Sequence, residues 1–447
     1  MKRILFLYVC LLTFTCCSSD KGEPETPILE APKLVSSQPA NGQTEVLETV
    51  MNIELLFDQT IQLARAHNIT LNGVVVYQPE VNNKTVKVKV KLEKGKQYIL
   101  KIPSGSIIGV TDIPTETITI SFETIKEPVP EISTNLVAED PSVEAQKLYN
   151  YLLQNYETKT LSAMMADVSW NTDQSEQVYA WTGKYPAINC YDYIHLAWSP
   201  ANWIDYSNIT PVKSWWDAGG IVAAGWHWVV PPSEGITEPS KMTYKPEETS
   251  FRAKNATIEG TWENNVVKAD LEKIAGYLKL LKEEGIPILW RPLHEAAGNI
   301  YEYNNGTAWF WWGNDGAEAY KKLWMYMFDY FKSQDLNNLI WVWTTQTKDD
   351  AFYPGDEYVD IIGRDLYNMN AANCVIQYKV ITNTYAHKIV TLSECGTVGL
   401  ISEQWKAGAR WSWFMPWYGE GHANQEWWID AMKQDYVITR NQLPGFK

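Results

Sequence analysis

The sequence predicts an α/β protein, a (β/α)8 TIM barrel, preceded by an all-β sandwich of the immunoglobulin type. Three observations carry this expectation. Residues 33–126 alternate with a period of two and are punctuated by turn residues. Residues 136–447 hold eight apolar runs of strand length, with helical patterns between most of them. A Pro-rich stretch, residues 127–135, separates the two parts. A chain of 447 residues has room for two folded units, one of them large.

The chain opens with Lys2 and Arg3, then an apolar run from Ile4 to Leu12, then Phe14-Thr15-Cys16-Cys17-Ser18. That run is too short for a standard membrane span. Residues 1–17 resemble a bacterial lipoprotein signal, with Cys17 as the lipidated residue; Cys16, or a plain cleaved signal, is the alternative. Either way the protein is expected to leave the cytoplasm. A lipid anchor would hold it at the cell envelope, on the outer membrane, facing the periplasm or the cell surface. Residues 18–32 carry Gly22, Pro24, Pro27 and Pro32 among charges and read as a flexible tether.

In the sandwich segment, Thr85 to Lys91 alternates strictly, with Val86, Val88 and Val90 on one face and three lysines on the other. Ile118, Ile120 and Phe122 repeat the pattern, and Met51 to Phe57 is a further strand. Turn chemistry at Asn41-Gly42, Asn72-Gly73 and Lys94-Gly95 divides the segment into roughly seven short strands. It resembles bacterial Ig-like spacer domains. With no clustered carboxylates or aromatic platform, it is expected to be a spacer rather than a sugar-binding module.

Beyond the linker an amphipathic helix is predicted from Ser142 to Gln154. The eight runs are Leu161–Asp167, Ala187–Tyr193, Ile221–Trp228, Pro287–Glu295, Leu339–Gln346, Val359–Tyr367, Ile389–Cys395 and Ala409–Trp417. Helical periodicity is clearest over Val267 to Glu284 and Gly316 to Ser333. A doubly wound open sheet is the competing architecture, but no Gly-rich dinucleotide turn follows the first strand. The third run is followed by a long polar loop, Val229 to Glu263, which in a barrel would overhang the C-terminal face where active sites sit.

Composition narrows the function. The 38 Lys+Arg against 53 Asp+Glu give a net charge of −15. Such a chain is a poor partner for nucleic acid or an anionic membrane surface, so membrane contact is expected only through the lipid anchor. The 22 Trp and 25 Tyr gather in clusters, Trp226-His227-Trp228, Trp309 to Trp312, and Trp411 to Trp417. Flat rings suit the apolar faces of sugars, so the clusters are read as sugar-stacking surfaces ahead of core filling. Cys190, Cys374 and Cys395 lie outside the leader and show no metal-ligand spacing; free buried thiols are expected, with one disulfide left open. No metal or cofactor is expected.

Two glutamates end apolar runs, Glu295 in Leu289-Trp290-Arg291-Pro292-Leu293-His294-Glu295 and Glu394 in Val390-Thr391-Leu392-Ser393-Glu394. They terminate the fourth and seventh strands, and strand ends at the top of a barrel face one site. Glycoside cleavage needs such a pair. One carboxyl protonates the leaving oxygen while the other attacks the anomeric carbon, the two standing roughly 5–5.5 Å apart in a retaining enzyme. The competing reading is that each glutamate merely pairs with a cation such as Arg291 or Arg410. Arg291 can also hold Glu394 ionised.

With these residues in place, the segment from about Val137 to Lys447 resembles glycoside hydrolase family 26, in the clan of barrel glycosidases with glutamates on strands four and seven. The runs Arg291-Pro292-Leu293-His294-Glu295 and Trp309-Phe310-Trp311-Trp312-Gly313 carry the likeness. The resemblance implies Glu295 as acid/base and Glu394 as nucleophile. It further implies that His227 contacts the sugar near the cut, that His294 orients the acid by a hydrogen bond, and that Trp309 stacks on substrate. Tyr367 would hydrogen-bond the nucleophile with Asp365 in support. Trp417 would floor the −1 sugar site, or else simply close the barrel. The stretch Gly298 to Gly306 is longer than in simpler members and is expected to line the aglycone side. Most characterised members are β-mannanases, so the expected substrate is a β-mannan polysaccharide or oligosaccharide: mannan, glucomannan or galactomannan. A β-glucanase or xylanase on the same barrel is the alternative within the class. A non-catalytic surface glycan-binding lipoprotein is the alternative outside it. A monomer is expected.

Overall fold

The computed structural model describes residues 30–110, 112–126, 132–167 and 170–446. Cys17, the whole signal, and most of the tether and linker lie outside the described residues. The chain divides into two compact units, Met1–Glu127 and Pro128–Lys447.

The first unit is all β. Its alternating runs make strands that are apolar on one side: Thr85–Lys89 and Asn52–Phe57 pair antiparallel with Val86 opposite Leu55 and Val88 opposite Ile53, all four buried. Leu34–Gln38 and Glu80–Asn82 complete a four-stranded sheet. A five-stranded sheet centres on Gln97–Ile102 and Ile118–Thr124, which turn Leu100, Ile102, Ile120 and Phe122 inward. These two inner faces make the core. Eleven strand segments are described where about seven were expected. The surplus consists of two- and three-residue pieces such as Thr70–Leu71 and Ile61–Leu63, too short for any period to register.

The second unit is a closed barrel. Its strands are β1 Thr160–Met165, β2 Ile188–Asp192, β3 Ile221–Trp226, β4 Ile288–Pro292, β5 Leu339–Thr345, β6 Ile361–Met369, β7 Ile389–Val398 and β8 Trp413–Pro416. Each pairs in parallel with the next, and β1 pairs with both β8 and β2, so the sheet closes and the open-sheet alternative is excluded. Strands buried on both faces read as continuous apolar runs, and β1, β3 and β5 are buried at every position. Val437–Ile438 adds a short parallel strand beside β1.

Helices shield the barrel. Val143–Asn155 starts at Ser142, whose side chain accepts from Ala145 N. Trp262–Glu283 starts at Thr261, which accepts from Asn264 N, and buries Val267, Leu271, Ile274, Leu278 and Leu281 at helical spacing. Asp360 fixes the segment ahead of the first helix: its two oxygens accept from Val137 N and Trp341 N, each at 2.7 Å.

The strand ends that carry the two glutamates differ from the sequence expectation. β4 stops at Pro292, because Leu293 (φ 46°) and Glu295 (φ 49°) turn left-handed. β7 continues past Glu394 to Val398, paired with a β6 that itself runs on to Met369. One glutamate therefore sits in a turn beyond its strand, and the other within a strand.

Candidate active site

β4, β6 and β7 bring three carboxylates together. Oxygens of Glu295, Asp365 and Glu394 lie within 4.8 Å of one another, and all three residues are buried. Among the described residues this is the one cluster with metal-ligand spacing. Its positive charge comes from the chain itself. Arg291, on β4, donates from Nη1 to Glu394 at 2.9 Å and from Nη2 to Asp365, while its Nε donates to Thr344 at 3.1 Å. Ser393 donates to the other Asp365 oxygen at 2.7 Å. Glu394 accepts a second hydrogen bond from the Tyr367 hydroxyl at 2.6 Å. Arg410 lies elsewhere, stacked on Trp405, so the cation pairing once open for both glutamates exists for Glu394 alone and through Arg291.

These surroundings are unequal. Burial first, then the charges of Asp365 and Glu394, push the Glu295 carboxyl well above the usual carboxylate range. Burial also raises Glu394, but Arg291 and the Tyr367 hydrogen bond pull against it. Both carboxyls stand above their ordinary range, Glu295 the further, so Glu295 is the one that holds its proton more tightly.

One wall of the site is built of rings. His227 follows the last residue of β3, and its Nδ1 meets Asp192 Oδ2 at 2.5 Å while its backbone N donates to Asp192 Oδ1. Burial opposes a charged imidazole here, yet the Asp192 charge and hydrogen bond outweigh it and raise the ring's pKa. Trp417, Phe310 and His294 stand edge-on to His227, at centroid separations of 5.6, 5.9 and 4.5 Å. Trp417 is half-buried and gives its backbone N–H to Cys395 O.

The other expected residues take these places. The hydrogen bond assigned to His294 is not made through Nδ1, which is buried without a partner; burial and the Arg291 charge keep this ring neutral. Asp365 is the acid beside Glu295, their oxygens within 4.8 Å. The residue of the Trp-rich run that packs on the His227–His294 pair is Phe310, whereas Trp309, 40% exposed, lies against Gly298. Gly298 has φ 48°, and a Cβ there would come within 2.8 Å of Trp309 N, so this turn needs glycine. The tryptophan clusters are mostly core: Trp226, Trp228, Trp311, Trp312, Trp411 and Trp413 are all buried, and only Trp309 and Trp417 are open to a ligand. Cys190, Cys374 and Cys395 are free and buried.

Sequence reasoning missed Asp192 and Phe310. Asp192 had a signal, a lone acid closing an otherwise neutral strand. Phe310 had none beyond its neighbours.

The comparisons agree with this geometry. The model of glycosyl hydrolase family 26 matches residues 137–442, and a bacterial Ig-like domain model matches residues 29–124. A mannan endo-1,4-β-mannosidase A of Piromyces sp. is 32% identical over 320 residues, 68% of this chain and 49% of that protein. A mannan endo-1,4-β-mannosidase of Thermothelomyces thermophilus is 31% identical over 72% of this chain and 66% of its own length. This chain thus spans about half to two thirds of these relatives. Among solved structures, the family 26 domain of an endo-β-mannanase/endo-β-glucanase from Prevotella bryantii superposes with a TM-score of 0.67 at 44% identity, covering 70% of this chain and all of that one. A β-mannanase from a symbiotic protist of the termite Reticulitermes speratus, complexed with gluco-manno-oligosaccharide, gives 0.62 at 36% identity, over 71% of this chain and 99% of that one. With the barrel closed, the carboxylates gathered at its rim and more than half of its length matched, the chain belongs to glycosyl hydrolase family 26.

Proposed function

We propose that this protein hydrolyses β-1,4-mannosidic bonds in mannan, glucomannan or galactomannan by a retaining double displacement, acting within the chain. The observation that carries the reading is the close approach of Glu295 and Glu394, within 4.8 Å between carboxylate oxygens. Inverting enzymes keep the pair roughly 6.5–9.5 Å apart to admit a water. At the shorter separation one carboxylate reaches the anomeric carbon directly.

Glu394, held by Arg291 and Tyr367, attacks that carbon. Glu295, protonated by its surroundings, gives its proton to the departing oxygen. Having given up its proton, Glu295 stays ionised because esterified Glu394 no longer carries a negative charge; it takes a proton from water on the face the leaving group vacated, and that water's attack breaks the bond to Glu394, restoring protonated Glu295 and ionised Glu394. The product keeps the β configuration. His227 and Trp417 bound the −1 sugar, and Asp365 orients Arg291 while its charge helps hold the proton on Glu295. The mannan substrate is supported by the relatives' names. The lipid anchor at Cys17, and with it a place at the cell envelope, is supported by the leader sequence alone.

The test is to incubate the purified protein with mannan, glucomannan, galactomannan, xylan and mixed-linkage glucan, and to follow the first products by NMR. β-Mannan cleavage to initial β-anomer is expected. Initial α-anomer would remove Glu394 as nucleophile, and a preference for xylan or mixed-linkage glucan would replace the substrate. Glu394→Ala should lose nearly all turnover and regain part of it with azide, a small anion able to fill the vacated space.

A further inference from the structure

β2 and β3 run side by side with Asp192 opposite Gly225, so Asp192 closes β2 next to the point where the chain leaves β3 for His227. The Asp192 side chain is wholly buried. Its Oδ1 accepts from Ile194 N at 2.8 Å and from His227 N at 3.1 Å, and its Oδ2 meets His227 Nδ1 at 2.5 Å. The Asp192 carbonyl accepts from the Tyr206 hydroxyl at 2.9 Å, which fixes the backbone beneath. A neutral amide oxygen would serve the two backbone N–H groups equally well. What an amide could not supply is a second acceptor for the ring nitrogen, and that is where the carboxylate differs.

His227 meets charge from three strands. Asp192 on β2 and Glu394 on β7 favour its cation, and Arg291 on β4 opposes it. His294, beyond β4, is a neutral ring, and Tyr244, Phe310 and Trp417 cover the remaining sides. The influence is mutual: the His227 charge works against burial at Glu394 and lowers the proton affinity of that carboxyl. With Nδ1 committed to Asp192, Nε2 is the ring atom left for a ligand.

We infer that Asp192 is a positioning residue: acting through His227, it fixes the protons of that ring and keeps a positive charge beside the nucleophile Glu394. The inference rests on the mannanase reading and is tested apart from it. Glu394 has to be ionised to attack, and a neighbouring cation favours the ionised form. The acid limb of activity therefore depends on a carboxylate that is itself sealed from solvent.

Asp192→Asn keeps an oxygen for the two backbone N–H groups and turns an amide NH2 toward Nδ1. A donor there makes Nδ1 an acceptor, so the ring becomes neutral with its proton on Nε2. Nitrogen-15 NMR of histidine-labelled protein reads this without substrate, the His227 signals being those lost in His227→Gln. Wild-type His227 should titrate above the ordinary histidine midpoint of about 6.5, and in Asp192→Asn it should titrate below it, with the neutral proton on Nε2. Profiles of kcat/KM against pH on mannopentaose read the consequence. The acid limb should move to higher pH by about one unit in Asp192→Asn and in His227→Gln, and the plateau of Asp192→Asn should fall about tenfold, the worth of one charged hydrogen bond. A lower plateau with the limb unmoved in Asp192→Asn means a purely structural role and overturns the inference, as does a wild-type His227 that titrates at or below about 6.5. Should Asp192→Asn fail to fold, the wild-type titration and the limb of His227→Gln decide. A wild type inert on mannopentaose would remove the mannanase reading and leave the ring titrations to decide this one.

Discussion

Glu295 and Glu394 are one residue type in one buried cluster, yet the chain separates their proton affinities by what it points at each. Glu394 receives a guanidinium and a phenol; Glu295 receives burial and two neighbouring acids. A carboxyl whose pKa is raised is protonated below that pKa and loses its proton as pH rises through it. Activity that needs protonated Glu295 therefore falls with rising pH above the ordinary carboxyl range, while a separate acid limb follows protonation of Glu394, whose pKa burial also raises. In Glu295→Ala that alkaline limb should vanish. The loss should be about 10²–10⁴-fold on mannan, and small on an activated aryl β-mannoside, which should release an initial burst of phenol. Profiles of kcat/KM against pH check this, and an alkaline limb persisting in the variant would remove Glu295 as the acid. Both glutamates were legible in the sequence because a strand-end carboxylate is rare among apolar residues. The His294 hydrogen bond and the Trp309–Phe310 distinction were not, since ring orientation depends on backbone turns such as that at Gly298, which periodicity does not encode.

At the scale of elements, Asp360 ties the entry of the barrel unit to β5 by accepting two backbone N–H groups in a dry setting. Asp360→Ala orphans both. An unsatisfied buried donor costs about 1–3 kcal/mol, so the variant should be less stable by about 2–4 kcal/mol in denaturant unfolding with an unchanged slope. A change below 0.5 kcal/mol would mean water replaces the carboxylate. All eight barrel strands were visible as apolar runs, because a strand covered on both faces needs no polar alternation. Their ends were less visible. The run through Leu293 and His294 stays apolar while the backbone has already turned left-handed, and β7 outlasts its apolar run because Gly396 and Thr397 interrupt the composition but not the ladder. The same covering explains the tryptophans: strands and flanking loops of a barrel consume large rings as filler, and composition alone does not separate filler from sugar platform.

For the molecule as a whole, each of the two units has its own apolar core. The acidic and basic groups of the chemistry all belong to the second. A chain beginning at Ser133 should fold and cleave short soluble mannooligosaccharides within about twofold of the full-length rate. If it is folded by circular dichroism yet inactive, the first unit takes part in the reaction. The two-unit architecture was legible because the hydrophobic period changes across a Pro-rich break, whereas the Asp192–His227 pair was not, being assembled from two separated strand ends. The continuation of β6 and β7 past Glu394 also bears on how such a barrel can diversify. Several paired residues stand between that carboxylate and the variable rim, so insertions after Met369 or Val398 can reshape what the cleft admits without shifting the nucleophile. Glu295 has no such buffer: it lies three residues beyond its strand, so a length change between Pro292 and Glu295 would displace it at once. A change of loop length is therefore cushioned on the Glu394 side of the cleft and felt directly on the Glu295 side.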